Sequence, residues 1–107
     1  MNIKIIMKEK IIKFEKGSGA KKYTVYIQNK ETKKIRRISF GQKNYQQYKD
    51  RTPLKLYSKY DHNNLKRMQN YYARHSGIKN RIEAIKHEKI KNNFYYNAKI
   101  LSHIFLW

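Results

Sequence analysis

Tyr23-Thr24-Val25-Tyr26-Ile27 and the run from Ile35 to Phe40 decide the fold that this sequence predicts. Both runs are rich in β-branched and aromatic residues, which favour strands. Asn29-Lys30-Glu31-Thr32 lies between them and supplies turn chemistry, because asparagine tolerates a left-handed backbone. Together they predict a β-hairpin. A third strand is expected before it at Ile11-Ile12-Lys13-Phe14, which the breaker Gly17-Ser18-Gly19 separates from the hairpin.

A connector and a helix are expected after the hairpin. The segment from Gly41 to Leu56 is polar and contains the only proline, so it predicts irregular backbone. From Asp61 to His75 the sequence predicts a helix, with Asp61 or Asn63 as the N-cap. Ser76-Gly77 follows, and glycine is favoured just past a helix C-terminus.

The predicted helix has two chemically different faces. At 3.6 residues per turn, its apolar face consists of Leu65, Met68, Tyr72 and His75. The opposite face consists of Lys66, Arg67, Asn70 and Arg74. The second face is therefore expected to be a basic stripe.

The last third of the chain completes the predicted fold. Residues 78–93 have helical propensity without a clear apolar face, which predicts either a mobile helix or a linker. Apolar residues at Phe94, Ala98, Leu101 and Phe105 predict a short helix that docks on the sheet. The expected fold class is α+β: a small antiparallel hairpin or three-stranded sheet packed against a central helix and a C-terminal helix. Residues 1–20 are expected to be an N-terminal strand or extension, and 21–107 a single small basic domain.

Composition indicates a folded basic protein. The 107 residues include 26 Lys and Arg against 7 Asp and Glu, a formal net charge of +19. Such a charge is typical of disorder when aromatic residues are scarce, but here ten Tyr, four Phe and one Trp provide large apolar areas. We therefore expect a folded module rather than a disordered basic tail.

Several classes of protein are disfavoured by composition. There is no cysteine, which excludes a disulfide framework and a cysteine nucleophile. Lysines interrupt the apolar residues near Met1, so no signal peptide is predicted. The late apolar run from Ile104 to Trp107 is far shorter than the ~20 residues that a membrane span needs.

The excess of cations over acids is the main functional signal. Nucleic-acid binding draws much of its affinity from phosphates neutralised by Lys and Arg. We predict nucleic acid as the partner, DNA before RNA, with no cofactor and no small-molecule substrate. The alternative for the charge is a solvated, soluble surface, and for the tyrosines a place in the core rather than stacking on bases. The candidate contact residues are Lys21, Lys22, Lys33, Lys34, Arg36, Arg37, Lys66, Arg67, Asn70, Arg74 and His75.

Enzymatic interpretations have weaker support. The four histidines are scattered, and no zinc-binding spacing is present. Asp61-His62-Asn63 lacks the later ligands of an HNH nuclease, and the hairpin only partly matches the strands of GIY-YIG nucleases. A divergent small nuclease therefore ranks below a non-enzymatic nucleic-acid-binding protein.

Short motifs in a fixed order resemble a known family. They are Lys21-Lys22-Tyr23-Thr24-Val25, Phe40-Gly41 with Tyr45 and Tyr48, Asp61 with Lys66-Arg67, Tyr71-Tyr72-Ala73-Arg74-His75, Ala98-Lys99, Ser102-His103 and Leu106-Trp107. This order resembles a family of short basic proteins of unknown function encoded by nucleocytoplasmic large DNA viruses, the giant viruses. The chain departs from the family pattern at Tyr45-Gln46-Gln47-Tyr48-Lys49, which lacks an acidic residue, and at residues 51–56, which look inserted.

The resemblance implies a non-enzymatic viral protein. Such a protein would be associated with the genome in the virion, and would occupy the host cytoplasm or nucleus during infection. The alternative implied by the same resemblance is a minor capsid or scaffold protein that binds acidic virion proteins.

Overall fold

The computed structural model describes residues 5–107 and contains a three-stranded sheet followed by three helices. The strands are β1 (Glu9–Lys16), β2 (Lys21–Asn29) and β3 (Ile35–Gln42). The helices are α1 (Leu65–Ser76), α2 (Arg81–Lys91) and α3 (Ala98–Phe105), with a short 3-10 turn at Ser58–Tyr60 before α1. The predicted α+β class is confirmed.

The sheet is antiparallel with the strands in sequence order. Val25 of β2 lies opposite Phe14 of β1 and Ile38 of β3. The third strand that the sequence predicted therefore exists, and it pairs with β2 along its length. It comes from the expected N-terminal strand or extension, whose residues 1–4 lie outside the described part of the chain.

The hairpin turn uses Asn29 through its side chain and not through a left-handed backbone. The Asn29 side-chain oxygen accepts hydrogen bonds from the backbone N–H groups of Glu31 and Thr32. The left-handed residue of the turn is Lys33, at φ 65°, rather than Asn29. A side-chain acceptor inside the turn replaces the glycine that a tighter hairpin would need.

The main core lies between one face of the sheet and α3. Tyr23, Val25 and Ile27 alternate along β2 and are fully buried, as expected for the inward face of a strand. They form one cluster with Phe40, Tyr57, Leu101 and Leu106. The predicted docking of the C-terminal helix on the sheet is confirmed.

The apolar stripe predicted for α3 is only partly correct. Leu101 is buried, and the Phe105 ring meets Phe14 edge-on at 4.9 Å between ring centroids. Ala98 is exposed, and the buried position is taken by Ile100 instead. α3 is a single helix packed on two sides, by the sheet and by α2, so more of its surface is covered than one stripe.

Helix α1 begins later than the sequence predicted. Its N-cap is Asn64, whose side chain accepts a hydrogen bond from the Arg67 backbone N–H. The predicted caps were wrong because Asn63 has a left-handed backbone at φ 52° and Asp61 bonds to the preceding loop. The predicted end is confirmed, since Gly77 takes the left-handed C-cap conformation.

The buried face of α1 is narrower than predicted. Tyr71 and Tyr72 are buried and form a second core cluster with Ala84 of α2. Leu65 is 60% exposed and His75 is exposed as well, so neither belongs to the buried face. α1 packs on α2 and α3, and it is α3 that lies directly on the sheet. The segment 78–93, for which the sequence left a helix or a linker open, contains the regular helix α2.

A buried carboxylate holds the irregular segment after β3 onto the sheet. Asp50 accepts hydrogen bonds from the Tyr23 hydroxyl, from the backbone N–H of Tyr57, and from both the backbone N–H and the hydroxyl of Thr52. The Tyr23 hydroxyl in turn accepts from the Leu56 N–H at 2.8 Å. Burial, and then the bond to Asp50, raises the pKa of Tyr23 to about 12. The expected irregular connector is thus confirmed, and its fold depends on buried polar bonds.

A buried histidine links α1 to α3. The two ring nitrogens of His103 form hydrogen bonds with the Tyr71 hydroxyl at 2.8 Å and the Ser76 hydroxyl at 2.7 Å. Its backbone oxygen accepts from the Tyr72 hydroxyl at 2.7 Å. Burial lowers the pKa of His103 to about 4.

Removal of the Asp50 carboxylate should strongly destabilise the fold. Asp50→Ala leaves four buried donor groups unpaired, and we expect it to lower the free energy of unfolding by roughly 3–5 kcal/mol. Tyr23→Phe should cost about 1.5–3 kcal/mol, since it removes a hydrogen bond to a charged group. The double variant should lose less than the sum of the two, because both changes break the same bond. Urea denaturation measures all three, and strictly additive losses would contradict the network.

Acid should destabilise the protein through His103. Its pKa in the folded state lies below the ordinary value of 6.5, so the unfolded chain takes up the proton first. Stability contributed by the neutral ring is complete above pH 6.5 and is lost as the pH falls towards about 4. Between pH 7 and pH 5 the wild type should therefore lose more thermal stability than His103→Gln, which retains His62 and His75 as internal controls. Equal losses in the two proteins would reject this origin.

Candidate anion-binding cavity

A cavity of about 630 Å³ lies between the helices α1 and α3 and the open end of the β2–β3 hairpin, away from its turn. Lys21, Gly41 and Gln42 contribute the sheet side, and Arg74 and Lys99 contribute the two helices. The loop after β3 closes the remaining side.

The cavity wall is basic. Its cationic and titratable side chains are Lys21, Lys22, Arg67, Arg74, His75 and Lys99. No aspartate or glutamate belongs to the wall within the described residues 5–107. Such a surface attracts anions, and its low-dielectric walls concentrate the field.

The exposed cations of the wall are only weakly engaged by the protein. Arg67 donates to the neutral Gln46 side chain at 2.8 Å. Lys99 donates to the His75 backbone oxygen at 3.2 Å and lies 3.8 Å from a Glu88 carboxylate oxygen. The exposed Arg74 side chain makes no hydrogen bond or ion pair within residues 5–107. These side chains retain donors for a ligand.

The pKa of His75 reflects this environment. Burial lowers it first, and the nearby cations Arg74 and Lys99 lower it further. The lowered pKa favours the neutral ring, which can donate one hydrogen bond and accept another. The sequence assigned His75 to phosphate contact, and the structure does place it in the cavity wall.

Aromatic rings line the same cavity. Trp107 stacks on Tyr71 with 4.3 Å between ring centroids and 2° between planes. Tyr45 stands at the cavity with 68% of its surface exposed. Of the other nine tyrosines, four are buried and five are partly buried; the buried ones are Tyr23, Tyr57, Tyr71 and Tyr72.

A glycine shapes the cavity between β3 and the C-terminal segment. Gly41 has φ 79°, and a Cβ atom there would lie 2.9 Å from Leu106 Cδ1 and 3.1 Å from Lys22 Cβ. Any larger residue would be both strained and crowded. In the Phe40-Gly41 pair, the Phe40 ring is buried in the core, and Gly41 allows the close approach of Leu106 and Lys22.

Lys22 was wrongly predicted to be a surface contact. It is 1% exposed, and its ammonium group donates to the Tyr45 backbone oxygen at 2.6 Å and to the Gln47 side-chain oxygen. Burial lowers its pKa to about 8, although Asp50 and Asp61 oppose the shift. The residue orients the loop that carries Tyr45 and has no free donor surface comparable to that of Lys21.

The remaining predicted residues fall into separate places. Lys66 and Asn70 are exposed on α1 outside the cavity wall. Arg36 is held by Glu9 at 2.7 Å and by the Tyr96 backbone oxygen, also at 2.7 Å. Lys33, Lys34 and Arg37 are exposed near the hairpin turn.

The hairpin turn and the cavity are at opposite ends of the sheet. Lys21 of β2 pairs with Gln42, and Gln28 near the other end of β2 pairs with Ile35. The seven residue steps from Lys21 to Gln28 span roughly 23 Å of strand. The single basic surface that the sequence suggested is therefore two separate basic regions. Lys99 and Gln46, which complete the cavity, were not among the predicted contact residues, although both lie in stretches quoted for the family resemblance.

The motifs that resemble the viral family come together at the cavity. Lys21-Lys22, Phe40-Gly41, Tyr45, Arg67, Tyr71 with Arg74-His75, Ala98-Lys99, Ser102 and Leu106-Trp107 all contribute to its wall. The pattern is thus mainly a pattern of cavity residues. Comparisons of the chain with protein-family models, curated proteins and solved structures found no match. Membership of the viral family stays a prediction.

The described residues contain neither a cluster of metal ligands nor a membrane-spanning helix. Within residues 5–107, no three His, Cys, Asp or Glu side chains are grouped as they would be around a metal ion. None of the helices in this range has the length and hydrophobicity to cross a membrane.

Two adjacent lysines should behave differently when truncated. Lys22→Ala removes the donor for Tyr45 and Gln47 and the packing of the lysine stem, and we expect a loss of roughly 2 kcal/mol or more of unfolding free energy. Lys21→Ala removes an exposed side chain and should change stability by less than about 0.5 kcal/mol. Parallel urea titrations of the two variants make the comparison, and equal stabilities would show that Lys22 is not an interior residue.

Proposed function

We propose that this protein binds nucleic acid without catalysing a reaction, and that it does so by neutralising phosphates at the cavity and its rim. The observation that carries the proposal is a cavity wall with several exposed cations and, within residues 5–107, no acidic residue. Lys and Arg provide affinity for phosphates independent of base sequence. The aromatic rings beside them suit a ligand that combines phosphates with bases.

The placement of the acidic residues supports the proposal. Glu9, Asp50 and Glu88 are buried, and Asp61 bonds to the loop. Four of the seven carboxylates are thus used inside the fold or against the loop. Little negative charge remains at the surface to balance a net charge of +19.

The sequence resemblance extends this proposal to a biological setting. A basic, phosphate-binding protein of a large DNA virus would accompany the genome in the virion and reach the host cytoplasm or nucleus during infection. Separation of purified particles into genome core and shell tests this part. Recovery with the shell alone would favour a capsid or scaffold role towards acidic virion proteins.

Affinity for nucleic acid should depend steeply on salt. The logarithm of the affinity should fall linearly with the logarithm of salt concentration, with a slope that reflects on the order of 5 or more neutralised phosphates. Replacing Lys21, Arg67 and Arg74, which all line the cavity, together by Gln should reduce that slope by about three. Fluorescence anisotropy with labelled oligonucleotides measures both slopes.

A matched variant controls for net charge. Lys10, Lys30 and Lys91 are exposed and lie outside the cavity, so their replacement by Gln removes the same charge elsewhere. This variant should retain a slope closer to that of the wild type. If the two triple variants bind equally well, the cavity has no special role; if wild-type affinity barely changes with salt, phosphate neutralisation is wrong.

A further inference from the structure

We propose that the cavity accommodates one unpaired nucleotide of a nucleic-acid strand, with its base stacked on Tyr45 and its phosphate held by Arg67 and Arg74. The inference rests on the proposed function and specifies its ligand. Its consequence is a preference for single strands over duplexes.

The size of the cavity favours a nucleotide. Its volume of about 630 Å³ falls within the range of roughly 300–1,000 Å³ that is usual for organic ligands. A lone phosphate would leave most of this space empty. A duplex keeps its bases paired and stacked behind its backbone, so it can touch the rim but cannot insert a base.

The phosphate is assigned to the α1 side of the cavity. Arg67 and Arg74 are seven residues apart on the helix, two turns along the same face. Arg67 donates one side-chain hydrogen bond, to Gln46, and the Arg74 side chain donates none within the described residues. Arginine presents a planar fork of donors that matches phosphate oxygens.

The base is assigned to Tyr45. Its backbone is fixed, because its carbonyl oxygen accepts from the buried Lys22 and its N–H donates to the Gln42 oxygen at 3.2 Å. Its ring is nevertheless 68% exposed at the cavity wall. A positioned ring with an uncovered face can stack on any base.

Recognition of the base should be tolerant of sequence. Gln47, the buried amide beside the cavity, already donates to the Tyr57 backbone oxygen at 2.8 Å and to Asp61 at 2.7 Å, while its oxygen accepts from Lys22. Both of its amide hydrogens are used and its oxygen already accepts from a lysine, so it has no donor left to read a base edge. Stacking, which every base can provide, therefore remains the main base contact.

The test compares two single strands of equal charge with a duplex. A labelled oligothymidylate, an abasic strand of the same length, and a blunt-ended duplex of that length are titrated with the whole chain at one salt concentration. The oligothymidylate should bind about ten-fold more tightly than the abasic strand, because stacking adds affinity that charge does not. It should also change the fluorescence of Trp107, the only tryptophan, which lines the cavity.

Variants of Tyr45 locate the effect. Tyr45→Leu should abolish the preference for the strand with bases, whereas Tyr45→Phe, which keeps a ring, should retain it. Circular dichroism melts check that both variants fold; should Tyr45→Leu unfold, the wild-type comparison of the three ligands still decides.

The outcomes separate this inference from the proposed function. Salt-dependent binding of the wild type that is equal for the abasic strand, the oligothymidylate and the duplex would overturn the nucleotide pocket and leave phosphate neutralisation standing. A preference that survives in Tyr45→Leu would overturn the assignment of the base to Tyr45. Failure of the wild type to bind any of the three would overturn the proposed function and the inference together.

Discussion

The buried carboxylate of Asp50 is the constraint on which the rest of this structure depends. The segment between β3 and α1 has no strand and no α-helix, so its backbone groups need other partners. Asp50 supplies them by joining Tyr23 of the sheet to Thr52 and Tyr57 of the segment. The same segment carries Tyr45 to the cavity. Buried polar interactions thus hold the backbone of the segment that carries an exposed ring.

The protein separates its charges between interior and surface. Buried carboxylates bind donors of the fold, as Glu9 does with Arg36 and the Tyr96 N–H. Although burial raises the pKa of Glu9, these bonds hold it below its ordinary value. Asp50 and Asp61 bond to hydroxyl, amide and backbone groups, so they neutralise no lysine or arginine at the surface of the described chain. Structural use of the scarce acids and a strongly basic exterior are therefore two aspects of one arrangement.

Sequence patterns predicted those features that depend on neighbouring residues. The alternating pattern from Tyr23 to Ile27 predicted the buried strand β2, and Gly77 predicted where α1 ends. Burial of Lys22 was missed because it depends on Gln47, which is 25 residues away, and no local rule marks a lysine that a loop will cover. The start of α1 was placed too early because Asp61, a good cap by type, is bound to the loop.

The cavity could not be predicted for the same reason. Its walls come from β2, β3, the loop, α1 and α3, and their meeting is a result of tertiary packing. Composition indicated cations and aromatic rings but not that Arg74, Lys99 and Tyr45 share one space. It also did not show that the cations form two separate regions, one at the cavity and one at the hairpin turn. Their separation follows from the length of β2.

The construction of the cavity from distant segments couples ligand binding to folding. Its wall includes Lys21 and Trp107, so it is complete only when the sheet, the loop and the helices have all assembled. An unfolded chain has the same charges but no such enclosure. Any ligand that requires the enclosure binds the native state selectively, and mass action then raises the population of folded molecules. For a chain whose many like charges repel one another, a polyanion in the cavity would act as part of the folded structure.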